Sequence, residues 1–320
     1  MKNILITGIT GQDGVFLSKL IAEKEPESII YGISRNKVNK KFFNHLASIE
    51  TPQEINLRIV NLDLNNYEVV DKLISDLNPS VLYNLSGPSS VNQSVINPKI
   101  AYEITNIFNN LTNSLINNNN FCRFFQASSS EIFANSKKHL SENSNFYPNS
   151  PYAKAKLDNH NKAEQLSLKF EWPIFSGILF NHESQFRDKE FLLAKIIDAA
   201  IEIKRKNTDF LEVGSLSLKR DWSYAKDTVD CIYRITNEGS SFSYNIGSGK
   251  STSIEELIRI IFSHYELEWK KFVRINKSLL RDGDPIERVA DITKVKNEFG
   301  WSAQTSINEL IELIIKSKTN

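Results

Sequence analysis

Short, mostly apolar runs alternate with amphipathic stretches through the first half of the chain. The runs at 3–7, 28–32, 57–60, 81–84 and 123–127 are rich in Ile, Val, Leu and Phe and too short for helices, which predicts buried strands. Between them, 14–24, 67–77 and 98–118 repeat their apolar residues at helical spacing. A further unit follows, a helix over 150–169 and a strand at 174–179. Strand–helix alternation of this kind predicts βαβ units, and hence an α/β fold with a Rossmann-type, doubly wound parallel sheet. The run Asn117-Asn118-Asn119-Asn120 reads as a helix end turning into the next strand, because Asn tolerates left-handed backbone.

The pattern loosens after Phe180. Helical periodicity returns at 190–206, 225–237, 253–265 and 307–317, with one more strand-like run at 243–247. The expected organisation is a dinucleotide-binding domain over 1–180, to which 222–248 returns. A smaller C-terminal substrate-binding lobe is expected from 181–221 and 249–320.

Composition narrows the function by exclusion. With 39 basic against 38 acidic residues, nothing favours a nucleic acid partner. No window holds 18 uninterrupted apolar residues, and the first residues run straight into a strand. Neither secretion nor a membrane span is therefore expected, and the expected location is cytoplasmic. Cys122 and Cys231 lie in apolar stretches and read as core residues of a protein in a reducing compartment. The five histidines lack metal-ligand spacing, so no metal is expected.

Gly8-Ile9-Thr10-Gly11-Gln12-Asp13-Gly14 follows the first strand and opens the first helix. In this GxxGxxG spacing Gly8 permits the tight turn, Gly11 lets the backbone approach a pyrophosphate, and Gly14 lets the helix pack closely. The phosphates then meet the positive end of that helix. A glycine triplet alone also fits an ordinary strand-to-helix turn; its place at the head of a βαβ pattern favours the dinucleotide. The second strand leads into Ser34-Arg35, where NAD sites usually carry an acid, so the expected cofactor is NADP, with Arg35 on the 2′-phosphate. Asp63 and Leu64 fall at the adenine end, and the stretch from Asn84 through Leu85 to Gly87 is expected along the middle of the cofactor.

The chemistry gathers in Ser128-Ser129-Ser130-Glu131 and Tyr152-Ala153-Lys154-Ala155-Lys156. Tyr152 and Lys156 are four apart on a predicted helix and share a face. A neighbouring ammonium and an oxidised nicotinamide both favour the phenolate, which then takes a proton from a substrate hydroxyl held by Ser129. YxxxK occurs by chance as an exposed helix pair, and Glu131 alone could be a solvated carboxylate. Glu131, however, stands two residues from Ser129 at a strand's carboxyl end, where such sheets bind ligands. Alcohol oxidation has no need of that carboxylate; removal of a carbon-bound proton does.

The chain resembles the extended short-chain dehydrogenase/reductases and is most similar to the GDP-mannose 4,6-dehydratases among them. The resemblance rests on Ile6-Thr7-Gly8-Ile9-Thr10-Gly11-Gln12-Asp13-Gly14, Gln126-Ala127-Ser128-Ser129-Ser130-Glu131, Ser150-Pro151-Tyr152-Ala153, Asn181-His182-Glu183-Ser184 and Arg220-Asp221-Trp222. It implies a nucleotide-diphosphosugar substrate, GDP-mannose, and an internally recycled NADP. Tyr152 would deprotonate the sugar's 4-hydroxyl as hydride leaves C4, and Glu131 would remove the C5 proton and assist loss of the C6 hydroxyl. The returned hydride at C6 gives a 4-keto-6-deoxy sugar. The resemblance also places Asn181 on the nucleotide sugar, Arg220 and Arg281 on its diphosphate, and implies a homo-oligomer, dimer or tetramer. Departures are Ser129 for a threonine, Phe133-Ala134 for Tyr-Gly, Gln185-Phe186 for Pro-Arg, and Asn36 for a second arginine. A 4-keto-sugar reductase or an epimerase needs Ser129, Tyr152 and Lys156, but a reductase has no obvious need for Glu131. A non-catalytic NADP-binding regulatory protein would need none of the proton handlers.

Overall fold

The first strand sets the layering of the molecule. β1 (Asn3–Thr7) is followed by α1 (Gln12–Lys24), β2 (Ile29–Ser34), α2 (Lys40–Ala47), β3 (Leu57–Asn61) and α3 (Tyr67–Leu77). Next come β4 (Val81–Asn84), α4 (Val91–Ile96), α5 (Lys99–Asn117) and β5 (Arg123–Ala127), then a 3₁₀ turn (Ser130–Ile132), α6 (Pro151–Phe170) and β6 (Ile174–Leu179). Ile4 and Ile6 of β1 join one buried cluster with Val15 and Leu17 of α1, whereas Leu5 joins another with Ile74 of α3 and Phe108 of α5. Strand side chains alternate between faces, so a strand apolar at successive positions must be covered on both sides. This is a computed structural model and describes residues 2–50, 54–136, 139–280 and 283–319.

The second half of the chain builds two things at once. β7 (Asn181–Glu183), α7 (Leu192–Lys204), β8 (Leu211–Val213), β9 (Lys219–Tyr224) and α8 (Ala225–Glu238) lead to β10 (Ser243–Ile246). They are followed by β11 (Ser251–Ser253), α9 (Ile254–His264), α10 (Trp269–Phe272), β12 (Val273–Ile275), β13 (Glu287–Arg288), α11 (Thr293–Phe299) and α12 (Ile307–Thr319). β10 pairs with β6 and completes a seven-stranded parallel sheet in the order β10-β6-β5-β4-β1-β2-β3. α8 packs beside α1 on one face of that sheet. The order reverses between β1 and β4, and there the carboxyl ends of the strands open a crevice of the kind that holds ligands.

A smaller sheet is assembled around β9, which pairs with β11 in antiparallel fashion and with β7 and β13 in parallel. Asp221 in β9 is fully buried and ties these pieces together. Its Oδ1 accepts from Ser248 N at 2.7 Å and Ser248 Oγ at 2.6 Å, and its Oδ2 from Gly249 N at 2.9 Å and Ala290 N at 3.2 Å. Burial raises its pKa against the pull of those donors. The Asp of the Arg220-Asp221-Trp222 motif thus joins β9 to the turn after β10 and to the residues after β13.

The helix ends follow local chemistry. Ser150 Oγ accepts from Ala153 N at 3.1 Å, and Pro151 opens α6, which places Tyr152 in its first turn. The Asn run does end α5, with Asn119 in left-handed backbone at φ 50°.

Candidate active site

Two connected cavities lie along the carboxyl ends of the sheet strands. One, of about 560 Å³, is lined by the glycine turn and by the ends of β2 and β3. The other, of about 430 Å³, lies between the end of β5, the start of α6 and the smaller sheet. Asp13, Leu85 to Ser89 and Arg187 line both.

The first cavity gathers Gly8, Gly11, Gln12, Asp13, Gly14, Arg35, Asp63, Leu64 and Leu85, all the purely cofactor-binding residues expected from the sequence. Gly8 has φ +70°, and a Cβ there would lie 2.8 Å from Leu85 O, so the turn from β1 into α1, packed against the segment after β4, admits glycine alone without strain. α1 begins after Gly11 with no side-chain cap, which leaves its first-turn N–H groups available to a phosphate. Asn84 departs from expectation. It is buried beneath the cavity, its Nδ2 donating to Gln126 Oε1 at 2.8 Å and its Oδ1 accepting from Thr7 Oγ1 at 2.8 Å, so it braces three strand ends. Leu85, Ser86 and Gly87 do face the cavity.

At the outer end, Arg35 meets acids. Its Nη2 donates to Glu103 of α5 at 2.7 Å, and its Nε lies 3.9 Å from Asp63 Oδ1. Glu103 was not foreseen; in sequence it reads as one more charge on a solvated helix face.

The second cavity brings together Ser129, Glu131, Tyr152, Lys156, Asn181 and Arg220. Ser129 caps the 3₁₀ turn, its Oγ accepting from Glu131 N at 3.3 Å, and it lines the cavity with Tyr152. Burial pushes that phenol up to about 12, with Ser129 opposing the rise and Glu131 adding to it. The ammonium of Lys156 donates to Ala127 O at 2.9 Å and sits 5.7 Å from the centre of the Tyr152 ring. Burial pulls it down to about 8. The phenolate expected from the sequence draws on an oxidised nicotinamide as well as on this ammonium; in the chain by itself burial favours the neutral phenol. Lys154 is exposed on the outer face of α6.

Arg220 is buried and occupied: it donates to Pro285 O at 2.9 Å and to Asp284 Oδ1 at 2.7 Å. Arg281 lies outside the described residues.

Between the cavities runs a charged chain made of residues far apart in sequence. His182 Nε2 lies 3.0 Å from Asp13 Oδ2, and its Nδ1 lies 2.9 Å from Phe180 O. Both ring nitrogens face acceptors, an arrangement that favours the doubly protonated ring. Burial works against that charge, but Asp13 outweighs it and the pKa is raised. Beyond it, Arg187 stacks over Phe191 at 3.4 Å and lies 3.6 Å from the buried Glu183 carboxylate. Asp13 stands in the glycine fingerprint and His182 and Glu183 in the Asn181-His182-Glu183-Ser184 run, and Glu183 and Arg187 are spaced i, i+4, but nothing in the sequence joins the two segments.

A family model described as GDP-mannose 4,6 dehydratase matches residues 5–314. The chain belongs to that family. GDP-mannose 4,6 dehydratase 1 of Arabidopsis thaliana is 28% identical to this dehydratase-family chain over 324 residues, covering 98% of it and 89% of the relative. GDP-mannose 4,6 dehydratase of Homo sapiens is 28% identical over 347 residues, covering 97% and 90%. Among solved structures, the dTDP-glucose 4,6-dehydratase DesIV of Streptomyces venezuelae, with NAD and TYD bound, gives a TM-score of 0.86 at 19% identity, covering 99% of this chain and 97% of that one. RMD of Pseudomonas aeruginosa, complexed with NADPH, gives 0.80 at 19% identity, covering 99% and 98%. The structural likenesses establish the fold, the extended Rossmann sheet with its appended lobe.

Proposed function

We propose that the chain is a nucleotide-diphosphosugar 4,6-dehydratase, a lyase converting GDP-mannose to GDP-4-keto-6-deoxymannose. The observation that carries this reading is Glu131 lining the same cavity as Ser129, Tyr152 and Arg220. One proton handler serves an oxygen, the other serves carbon, and a guanidinium that phosphate can claim from Asp284 lines the same space.

The expected cofactor is NADP, with Arg35 on its 2′-phosphate. The residues present fit a dinucleotide: the N-terminus of α1 is uncapped, and Asp13 Oδ1 and Ser128 Oγ are buried at the cavities without a hydrogen-bond partner among the described residues. When bound, its nicotinamide takes up a hydride and gives it back, so no reducing equivalent is consumed. Its oxidised ring also brings the positive charge that a phenol held near 12 needs before it can act as a base.

Tyr152 receives the proton of the 4-hydroxyl, which Ser129 orients. Glu131 then takes the C5 proton, acidified by the ketone at C4, and that proton leaves with the C6 hydroxyl as water. Lys156, fixed by Ala127 O, would hold a cation near Tyr152 and the cofactor. Arg220 exchanges Asp284 for the substrate's diphosphate, which the resemblance also assigns to Arg281, and Asn181 contacts the sugar end. In this division 1–180 with 222–248 holds the cofactor, while 181–221 and 249–320 hold the nucleotide sugar.

The protein is expected to work in the cytoplasm as a homo-oligomer; no helix among the described residues is long and apolar enough to cross a membrane. α5 and α6 lie side by side and expose Tyr102 and Leu168, which supports pairing of copies there.

The test is incubation of the purified protein with GDP-mannose and NADP⁺. A 4-keto-6-deoxy product without NADPH build-up is expected, and Glu131→Gln should abolish it. Stoichiometric consumption of NADPH with a 4-keto-6-deoxy sugar would instead identify a reductase.

A further inference from the structure

Arg288 is a buried cation that no step above uses. It sits on β13 in register with Arg220 of β9, and only 2% of its surface is exposed. Its Nη1 donates to the carbonyl of Ser130 and lies 3.5 Å from Glu131 Oε2. Both acceptors belong to the 3₁₀ turn that presents Glu131. The carboxylate itself lines the cavity, while Arg288 stands behind it, outside the lining.

The strand holding Arg288 is fixed on both sides. Leu140 N donates to Val289 O at 2.9 Å, Asp291 N to Leu140 O at 2.8 Å, and Ala290 N to the Asp221 carboxylate at 3.2 Å. Taking a guanidinium out of water costs several kcal/mol unless its partners repay it. A merely structural tie between the lobe and the turn needs only the Ser130 carbonyl. The additional approach to a carboxylate that faces substrate is what a tie alone leaves unexplained.

We propose that Arg288 is a positioning residue for Glu131. It fixes the carboxylate against the cavity wall while Glu131 is charged, and its hold weakens when Glu131 takes up the carbon-bound proton. The protonated carboxyl is then free to turn toward the leaving hydroxyl. The inference rests on the reading that Glu131 takes the C5 proton. It assigns the smaller sheet a part in the elimination, whereas the oxidation depends on residues of the larger sheet and α6.

The test separates the two halves of the reaction. Arg288→Gln and Arg288→Lys are compared with the wild type in single turnovers with GDP-mannose and NADP⁺. Absorbance at 340 nm reports the oxidation, and mass spectrometry reports the sugar product. For Arg288→Gln, oxidation at the wild-type rate is expected, followed by elimination slowed on the order of a hundredfold, the cost of a misplaced reacting group. Reduced cofactor then accumulates, KM stays within roughly twofold, and Arg288→Lys recovers part of the lost rate. The ratio of the two rates does not depend on how much of a variant sample is folded. A wild-type ratio in Arg288→Gln overturns the proposal alone, as does equal slowing of both steps. A wild-type protein that converts no nucleotide sugar overturns the functional reading and the proposal with it.

Discussion

Arg35 donates to Glu103 across 2.7 Å, so the cation expected to read a 2′-phosphate is already answered by a carboxylate. With Asp63 also nearby, a phosphate arriving here meets negative charge as well as positive. Glu103→Gln should therefore raise affinity for NADP relative to NAD by roughly two- to fivefold, the scale of a partly exposed charge interaction. Fluorescence titration of both nucleotides measures the ratio. No change in it would remove Glu103 from cofactor selection. Arg35→Ala is expected to move the ratio the other way.

Tyr152→Phe removes one oxygen from a buried ring and leaves its packing in place. kcat should fall by about 10²- to 10⁴-fold, the usual contribution of a positioned proton acceptor. Thermal stability and dinucleotide binding should stay near wild type. A variant retaining a tenth or more of the activity would show that another group accepts the hydroxyl proton.

His160 is held neutral inside the protein. Its ring packs edge-on against Phe146 and Phe242, Nδ1 lies 2.8 Å from Ser176 Oγ, and burial lowers its pKa from 6.5 to about 4. The folded state thus resists a proton that the unfolded chain accepts. The contribution is complete above pH 6.5 and is lost as pH falls toward 4, reaching about 3 kcal/mol for a shift of this size. Urea melts at pH 7.5 and 4.5 should show a steeper loss in the wild type than in His160→Gln. Parallel losses in the two proteins would contradict the assignment.

Gly14→Ala would place a Cβ 2.5 Å from Ile9 O and 2.7 Å from Ile9 C, both backbone atoms. The helix must move away from the turn that carries the phosphate site. A stability loss of about 1–3 kcal/mol, as for other overpacked positions, is expected together with weaker dinucleotide binding. An unchanged melting temperature would show that α1 has room to shift.

What was legible in the sequence follows from how each element is stabilised. β1, β4 and β5 are apolar on both faces and could be read directly, as could α3 and α5, whose apolar stripes recur at helical spacing. β9 could not: Lys219-Arg220-Asp221-Trp222 looks like a polar loop and is a strand only because β7, β11 and β13 supply its partners. The site divides the same way. Ser129, Glu131, Tyr152 and Lys156 lie in two short segments with recognisable spacing. His182 with Asp13, Glu103 with Arg35, and Arg288 with Glu131 are pairs made by the fold from distant segments, and nothing in the spacing of either member points to its partner.

β10 reaches its place beside β6 only after everything from Phe180 to Phe242 has been made. On a ribosome, the sheet therefore waits with β6 as an open edge while the first pieces of the smaller sheet emerge. Late strand pairing of this kind is slow and leaves apolar surface exposed meanwhile. Chain elongation past Ile246 is the point at which the nascent protein can first close its sheet, and arrest before it should leave a species that depends on chaperones.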